Sequence, residues 1–375
     1  MAGIYIHIPF CKKACHYCNF HFSTSLKGRN DFVAALLKEM VLQKEYLQQE
    51  LVETIYFGGG TPSLLTEDEL MLIAEKLFHT FAVSAGAEIT LEANPDDIAV
   101  DSIKYWKRAG INRLSIGVQS FFEKDLEWMN RAHDAVQALN SIKIAQDHSL
   151  HNISIDLIYG TPTLPDHRWE KNIEQAIALK VPHLSCYALT VEPNTALNKM
   201  IKQKKVENVH PDDQARQFVL LMERMEEAGY EHYEISNFAV PGKRSRHNSS
   251  YWQGKKYLGL GPSAHSYNGI SRQWNIANNN LYIQSLAKNE LAFEKEILTD
   301  VQLLNEYIMT SLRTKEGIDL NHLSGQFNLS VREIIETKSG KYIKDLKLRK
   351  ETSRLVLTTE GKLFADGIAA DLFFE

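Results

Sequence analysis

The chain has 375 residues, of which 44% are hydrophobic and 24% are charged, and its formal net charge is −5. These values are ordinary for a folded protein of one or two domains, and the mild negative charge excludes a strong attraction to nucleic acid. No apolar run approaches the roughly 18–20 residues that span a bilayer, and the start MAGIYIHIPF lacks the features of a signal peptide. We therefore expect a cytoplasmic protein that does not span a membrane, for which only peripheral membrane contact is possible.

The N-terminal half of the chain alternates predicted strands with predicted helices. Short runs rich in Ile, Leu and Tyr predict strands at 5–10, 54–60, 88–94, 113–119, 153–160 and 183–190. A helical pattern at 67–78 follows Thr66, and Glu69 three residues later predicts a capping box. The alternation indicates right-handed βαβ units and a parallel sheet, and on periodicity alone an open barrel and a doubly wound sheet are both compatible.

The remainder of the chain follows different patterns. An amphipathic helix is predicted at 212–230 and a further strand at 233–239. From residue 298 onwards, short helical patterns precede the segment 354–364, which resembles the wing of a winged helix. Residues 300–375 contain 11 Lys and Arg and 12 Asp and Glu, so this unit lacks the basic face of a DNA-binding domain. We expect it to act as a cover or partner domain, with no nucleic acid as a partner.

The cysteines give the strongest chemical signal. Three of the four lie in a C-x3-C-x2-C pattern directly after the first predicted strand, at Cys11, Cys15 and Cys18. In a reducing compartment such a group favours a metal site over a disulfide framework. Three thiolates can hold three irons of a 4Fe–4S cubane and leave the fourth iron open to a cofactor. A zinc site completed by His16 or His21 is the alternative on spacing alone.

Polar residues near the ends of the next strands predict a pocket beside the cysteines. Gly59, Gly60 and Thr61 close the second strand, and glycines let a ligand approach the backbone closely. Three polar residues also interrupt or end otherwise apolar strands, at Glu92, Gln119 and Asp156. Burial of such groups is costly unless they are paired, so each one alone is also compatible with a satisfied core residue. Their corresponding places on successive strands favour one shared site.

The segment YIHIPFCKKACHYCNF resembles the radical S-adenosylmethionine (SAM) superfamily, in particular its coproporphyrinogen III oxidase-like branch, and the resemblance covers nearly the whole chain. It implies an α/β fold: a partial (β/α)6 barrel at 1–235, a connecting segment at 236–297 and a small winged-helix-like α+β domain at 298–375. It also implies a 4Fe–4S cluster on the three cysteines, an electron donor, and SAM contacts from Tyr5, Tyr17, Gly59, Gly60, Thr61, Glu92, Gln119, Arg131 and Asp156.

Two features of the sequence distinguish the members of this branch from one another. The oxidase has a further cysteine where this chain has Phe20, and HNSSYW (247–252) resembles the HNxxYW motif of the HemW family of haem chaperones. The resemblance implies that the chain binds haem or a related porphyrin, with His247 as the haem ligand and His265 as the next candidate. It implies a chaperone that passes haem to an acceptor protein. The alternative is an enzyme, the oxygen-independent coproporphyrinogen III oxidase. We assign no catalytic residue, and no role to Cys186.

Overall fold

One twelve-stranded sheet dominates the computed structural model, which describes residues 2–375. Its centre consists of six parallel strands in chain order: β1 (Ala2–Ile8), β2 (Val52–Gly59), β3 (Val83–Ala93), β4 (Arg113–Gln119), β5 (Ile153–Tyr159) and β6 (His183–Ala188). The connections contain α1 (Arg29–Leu42), α2 (Glu67–Thr80), α3 (Val100–Arg108), α4 (Glu123–Trp128), α5 (Ala135–Asp147) and α6 (Asp166–Ala178).

The order of these strands determines the architecture. Because β1 to β6 follow one another without reversal, right-handed crossovers place the helices on one face of the sheet. A doubly wound sheet would instead reverse its order at a switch point. The predicted partial (β/α)6 barrel is therefore confirmed, as is the capping box of Thr66 and Glu69 at the start of α2.

The two faces of the central strands differ in chemistry. In β1, the alternate residues Ile4, Ile6 and Ile8 are fully buried in the main hydrophobic core with residues of the helices. The residues between them, Tyr5 and His7, lie on the other face and hydrogen-bond each other, with Tyr5 Oη and His7 Nδ1 3.2 Å apart. The strands are thus largely buried on both faces, but the inner face of the barrel is polar.

Residues 196–297 extend this sheet on both sides. It contains α7 (Ala196–Lys202), α8 (Pro211–Glu227), β7 (Glu231–Glu234), β8 (Asn237–Ala239), α9 (Arg246–Trp252), β9 (Tyr257–Leu260), β10 (His265–Tyr267), β11 (Ser271–Asn275), α10 (Asn279–Ala287) and β12 (Phe293–Ile297). Strand β8 pairs with β6, whereas β9 pairs in parallel with β1 and leads to β10, β11 and β12. The predicted connecting segment therefore contributes strands to the main sheet, and HNSSYW lies on a helix.

The C-terminal residues form a smaller unit with its own hydrophobic core. Its elements are α11 (Asp300–Leu312), β13 (Ile318–Asp319), α12 (Leu320–Gln326), α13 (Leu329–Lys344), β14 (Leu348–Glu351), β15 (Arg354–Leu357), α14 (Thr359–Lys362) and α15 (Ala365–Leu372). The three strands form an antiparallel sheet, which confirms the winged-helix-like domain. An ion pair between Arg313 and the buried Glu234 joins it to the barrel, with Nη2 and Oε1 3.0 Å apart. No helix within residues 2–375 has both the length and the apolar composition to cross a bilayer.

A buried carboxylate connects α1 to the extended side of the sheet. Glu39 accepts hydrogen bonds from the Gly261 N–H (2.8 Å), the Asn275 Nδ2 (2.6 Å) and the Tyr282 hydroxyl (2.6 Å). Burial raises its pKa to about 7, although these three donors act in the opposite direction. The folded protein therefore binds this proton more tightly than the unfolded chain does.

We predict that Glu39→Ala lowers the free energy of unfolding by about 3 kcal/mol at pH 6, because it leaves buried donors without an acceptor. The stabilisation from the raised pKa is complete below the unfolded value and is lost as the pH rises through about 7. The stability difference between wild type and variant should therefore narrow between pH 5 and pH 8 in urea titrations. The exposed Glu75→Ala on α2 is the control, and an equal loss in both variants would contradict the role of Glu39.

Candidate functional site

The three clustered cysteines lie on the loop that leaves β1 at the carboxyl edge of the sheet. The loop is held at its start because the Cys11 N–H donates to the Ser23 carbonyl (3.0 Å) and the Ser23 N–H donates to the Pro9 carbonyl (2.8 Å). It is held again at His16, whose N–H donates to the Met129 carbonyl (3.1 Å). The thiols are partly exposed, in the position where parallel α/β folds place their chemistry.

The thiol chemistry fits an iron–sulfur cluster. Burial raises the pKa of the Cys11 thiol and raises that of Cys18 to about 11, so both thiols are neutral until a metal displaces their protons. Within residues 2–375 no three His, Cys, Asp or Glu side chains converge on one metal-ion position. A cubane does not require such convergence, because each of its cysteines binds a different iron.

Arg131 connects the cysteine loop to the mouth of the barrel. It lies between α4 and α5, and its Nη1 approaches the Cys15 Sγ (3.2 Å) and the Tyr17 hydroxyl (3.5 Å). Its Nη2 donates to the Asn94 Oδ1 (2.7 Å) and the Gly117 carbonyl (2.9 Å). The guanidinium is a fixed positive charge beside the thiols, which would stabilise thiolates and the anionic groups of a cofactor.

Glu92 organises the second group of predicted site residues. Its carboxylate accepts hydrogen bonds from the Tyr56 hydroxyl (2.8 Å) and from the Gly59 N–H (3.2 Å). Burial raises its pKa to about 7, and the charge of Asp156 acts in the same direction. The carboxyl can therefore accept or donate a hydrogen bond near neutral pH.

Close packing requires glycine at both Gly59 and Gly60. A Cβ at Gly59, whose φ is +105°, would lie 2.6 Å from the ring of His7. A Cβ at Gly60 would lie 2.7 Å from the Phe10 carbonyl oxygen. Thr61 follows, and its side chain hydrogen-bonds the Cys11 thiol. The turn after β2 thus lies directly against the start of the cysteine loop.

Gln119 and Asp156 lie on the same inner face, on β4 and β5. Gln119 ends its strand with φ +65°, a left-handed conformation that is unusual for a residue other than glycine and is often found at functional sites. Asp156 accepts a hydrogen bond from the Ser115 hydroxyl (3.5 Å). Burial raises the pKa of Asp156 to about 6, because it outweighs the hydrogen bond from Ser185 and the charge of Arg131.

The structure brings most of the predicted residues into one connected set and adds three that sequence reasoning missed. Tyr5 stacks on Tyr56, with ring centroids 6.1 Å apart, and Tyr17 receives the hydrogen bond from Arg131. The missed residues are His7, Tyr56 and Asn94. His7 lies two positions from Tyr5 on β1, at the spacing that places strand residues on one face, and Asn94 lies two positions from Glu92. That period of two was the signal for His7 and Asn94, whereas Tyr56 lies three positions from Gly59 and had no such signal.

His247 lies away from the surface, on the face of α9 that packs into the barrel. It is 1% exposed, and its two ring nitrogens contact the Thr54 Oγ1 (2.9 Å) and the Tyr251 hydroxyl (2.8 Å). Its ring stacks on Tyr56 with centroids 5.0 Å apart, and burial lowers its pKa to about 3. Haem ligation by His247 would require one of these buried hydrogen bonds to break, at a cost of about 1–3 kcal/mol. His247 as a haem ligand remains a prediction.

Comparison with known proteins places this site in a family. The Radical SAM superfamily matches residues 5–176, and the HemN C-terminal domain matches residues 298–364. The heme chaperone HemW of Bacillus subtilis is 32% identical over 98% of this chain and 98% of its own length. The heme chaperone HemW of Escherichia coli is 39% identical over 70% of this chain and 69% of its own length.

The solved structure of coproporphyrinogen III oxidase (HemN) from Escherichia coli shares the fold. Its TM-score is 0.86 at 22% sequence identity, and the match covers 99% of this chain and 90% of that chain. At this identity the likeness establishes the architecture alone. The end-to-end match to the HemW proteins goes further: the chain belongs to the HemW family of the radical SAM superfamily.

Proposed function

We propose that this protein is a haem chaperone, which binds haem and transfers it to an acceptor protein, and that it carries a 4Fe–4S cluster and SAM. The observation that carries this proposal is that relatives named heme chaperones match the chain from end to end, at 32–33% identity over 98–99% of its length. The cysteine loop above a polar barrel supports the cofactor part of the proposal.

The residues at the barrel mouth have separate roles in this proposal. Cys11, Cys15 and Cys18 hold the cluster, which supplies a single electron to the sulfonium of SAM when both are bound. Arg131 places its positive charge beside the Cys15 thiol. The inner-face residues bind SAM, with Glu92, Gln119 and Asp156 as its polar partners. A cytoplasmic electron donor is part of the proposal, because the cluster must be reduced before it can deliver an electron.

The alternative function is the oxidase, because the fold is shared with HemN at a TM-score of 0.86. One residue on the cysteine loop favours the chaperone. Phe20 is 68% exposed two positions after Cys18, so an apolar ring stands where the oxidase has its further cysteine. The two functions differ in chemistry, because the oxidase consumes SAM to remove carboxyl groups and a chaperone returns its cargo unchanged.

The cluster assignment predicts the effect of each cysteine. Cys11→Ala, Cys15→Ala and Cys18→Ala should each lose the oxygen-sensitive brown chromophore after anaerobic reconstitution, because each removes the anchor of one iron. Iron and sulfide analysis measures the loss. Cys186 is buried in β6, away from the loop, and Cys186→Ala is the matched control that should retain the cluster. Loss in the control together with retention in Cys15→Ala would refute the assignment.

The SAM assignment predicts weaker binding without loss of iron. Asp156→Ala and Gln119→Ala should each weaken SAM binding by about 1–3 kcal/mol in calorimetric titrations of the reconstituted protein, because each removes a buried hydrogen-bonding partner. The iron content should stay at the wild-type level, since neither side chain belongs to the cysteine loop. Asp147→Ala, an exposed carboxylate at the end of α5, is the control. Unchanged SAM affinity in both barrel variants would show that these residues only fill the interior.

The chaperone proposal predicts little or no decarboxylation of coproporphyrinogen III. Reconstituted protein should convert none of this substrate with SAM and reductant under conditions in which the Escherichia coli oxidase converts it. The physical reason is Phe20, which leaves the loop without the further thiol. Chromatography of the porphyrin products measures the reaction, and robust conversion by this chain would restore the oxidase as its function.

A further inference from the structure

A large cavity lies between the sheet and the winged-helix-like domain. Its volume is about 1320 Å³. Typical small-molecule pockets occupy roughly 300–1,000 Å³, so this space accommodates a ligand larger than most. One wall consists of α9 and strands β9 to β11, and the other consists of α11, α12 and the adjoining turns. We call this space the interdomain cavity.

Aromatic side chains line both walls of the interdomain cavity. Tyr251, Trp252 and Tyr267 come from the sheet side, and Tyr307 and Phe327 come from the C-terminal domain. Flat aromatic walls favour a flat, conjugated ligand, because stacked rings gain contact area and electrostatic complementarity. The cavity therefore suits a planar macrocycle better than a flexible polar metabolite.

Two arginines that are held by ion pairs line the same cavity. Arg244 pairs with Glu231 (2.8 Å) and Glu316 (2.7 Å), and Arg272 pairs with Glu306. A guanidinium has five N–H donors, so a carboxylate partner leaves donors for a second anion. Two further polar atoms of α9, Ser249 Oγ and Trp252 Nε1, are buried without a hydrogen-bond partner among residues 2–375. The lining thus offers donors to the carboxylates at the edge of a porphyrin.

Two histidines line the interdomain cavity, His265 on β10 and His322 on α12. Neither imidazole has a hydrogen bond to another described residue, in contrast to His247. His265 is held in place by the antiparallel pairing of β10 with β11, and its ring stacks on Trp274 with centroids 6.1 Å apart. The imidazole of His265 is exposed toward the cavity, where a metal can reach its ring nitrogens.

We propose that the interdomain cavity is the haem site and that His265 is its axial iron ligand. This inference rests on the proposed haem-chaperone function and names the site of the cargo. It places the porphyrin between two domains, with the iron bound from the sheet wall and the C-terminal domain forming the opposite wall. A site closed by a domain interface can release its cargo when the two domains separate.

Haem titrations of the reconstituted full-length protein, read by the Soret band, test the ligand. His265→Ala should weaken ferric haem binding by more than roughly tenfold and shift the Soret maximum, because it removes a strong nitrogen ligand. Free imidazole should restore the wild-type band. The exposed His151→Ala, outside the cavity, is the matched control that should keep it, and His247→Ala tests the competing ligand. Metal-free protoporphyrin should bind to His265→Ala as tightly as to wild type, because it has no iron to ligate.

A second pair of variants tests the cavity independently of the ligand. Thr310→Trp fills the cavity from α11, whereas Met309→Trp places the same ring on the exposed side of that helix. Only the first should weaken the binding of both haem and protoporphyrin, and both should keep their iron–sulfur cluster.

The possible failures are distinguishable. Wild type that binds no haem would overturn the proposed function and the site together. Haem binding that is unchanged in His265→Ala and Thr310→Trp but lost in His247→Ala would overturn the interdomain site and leave the chaperone function standing.

Discussion

The fold depends on one constraint: six parallel strands follow one another in chain order, so all their crossover helices lie on one side. The other side then forms the interior of an incomplete barrel, and its side chains must satisfy one another. They do so across neighbouring strands, as in Tyr56 with Glu92, Ser115 with Asp156, and Ser154 with His183. A polar interior is costly to bury, and the same groups that satisfy each other here provide the partners that a polar cofactor needs.

The two ends of this interior are closed by different segments. At the carboxyl edge, Arg131 holds the cysteine loop against Asn94 and Gly117, so the thiols stand over the ends of the third and fourth strands. Near the start of β2, α9 packs against that strand and supplies His247, whose ring stacks on Tyr56. Because Tyr56 also donates to Glu92, one chain of contacts runs from α9 to the predicted SAM residues. A substitution in α9 would therefore be felt at the barrel mouth through packing.

The sequence alone was sufficient to predict structural features that are local or periodic. The six strands, the capping box at Thr66 and the cysteine loop each depend on residues that are neighbours in the chain. It was not sufficient to predict β9, a four-residue strand that pairs with β1 although more than half of the chain lies between them. It was also not sufficient to predict the position of Arg131, whose contacts lie on three other segments. It was also insufficient for the interdomain cavity, because His265 and His322 become neighbours of one space only through tertiary packing.

Tyr251 marks the boundary between the two functional spaces. Its ring lines the interdomain cavity, and its hydroxyl bonds to His247, which lies on the barrel side. His247 in turn stacks on Tyr56, which donates to Glu92, so the wall of the cavity is linked to the predicted SAM residues by direct side-chain contacts. A cargo that packs on Tyr251 would therefore be coupled to the predicted SAM residues through Tyr251, His247 and Tyr56, without contacting them itself.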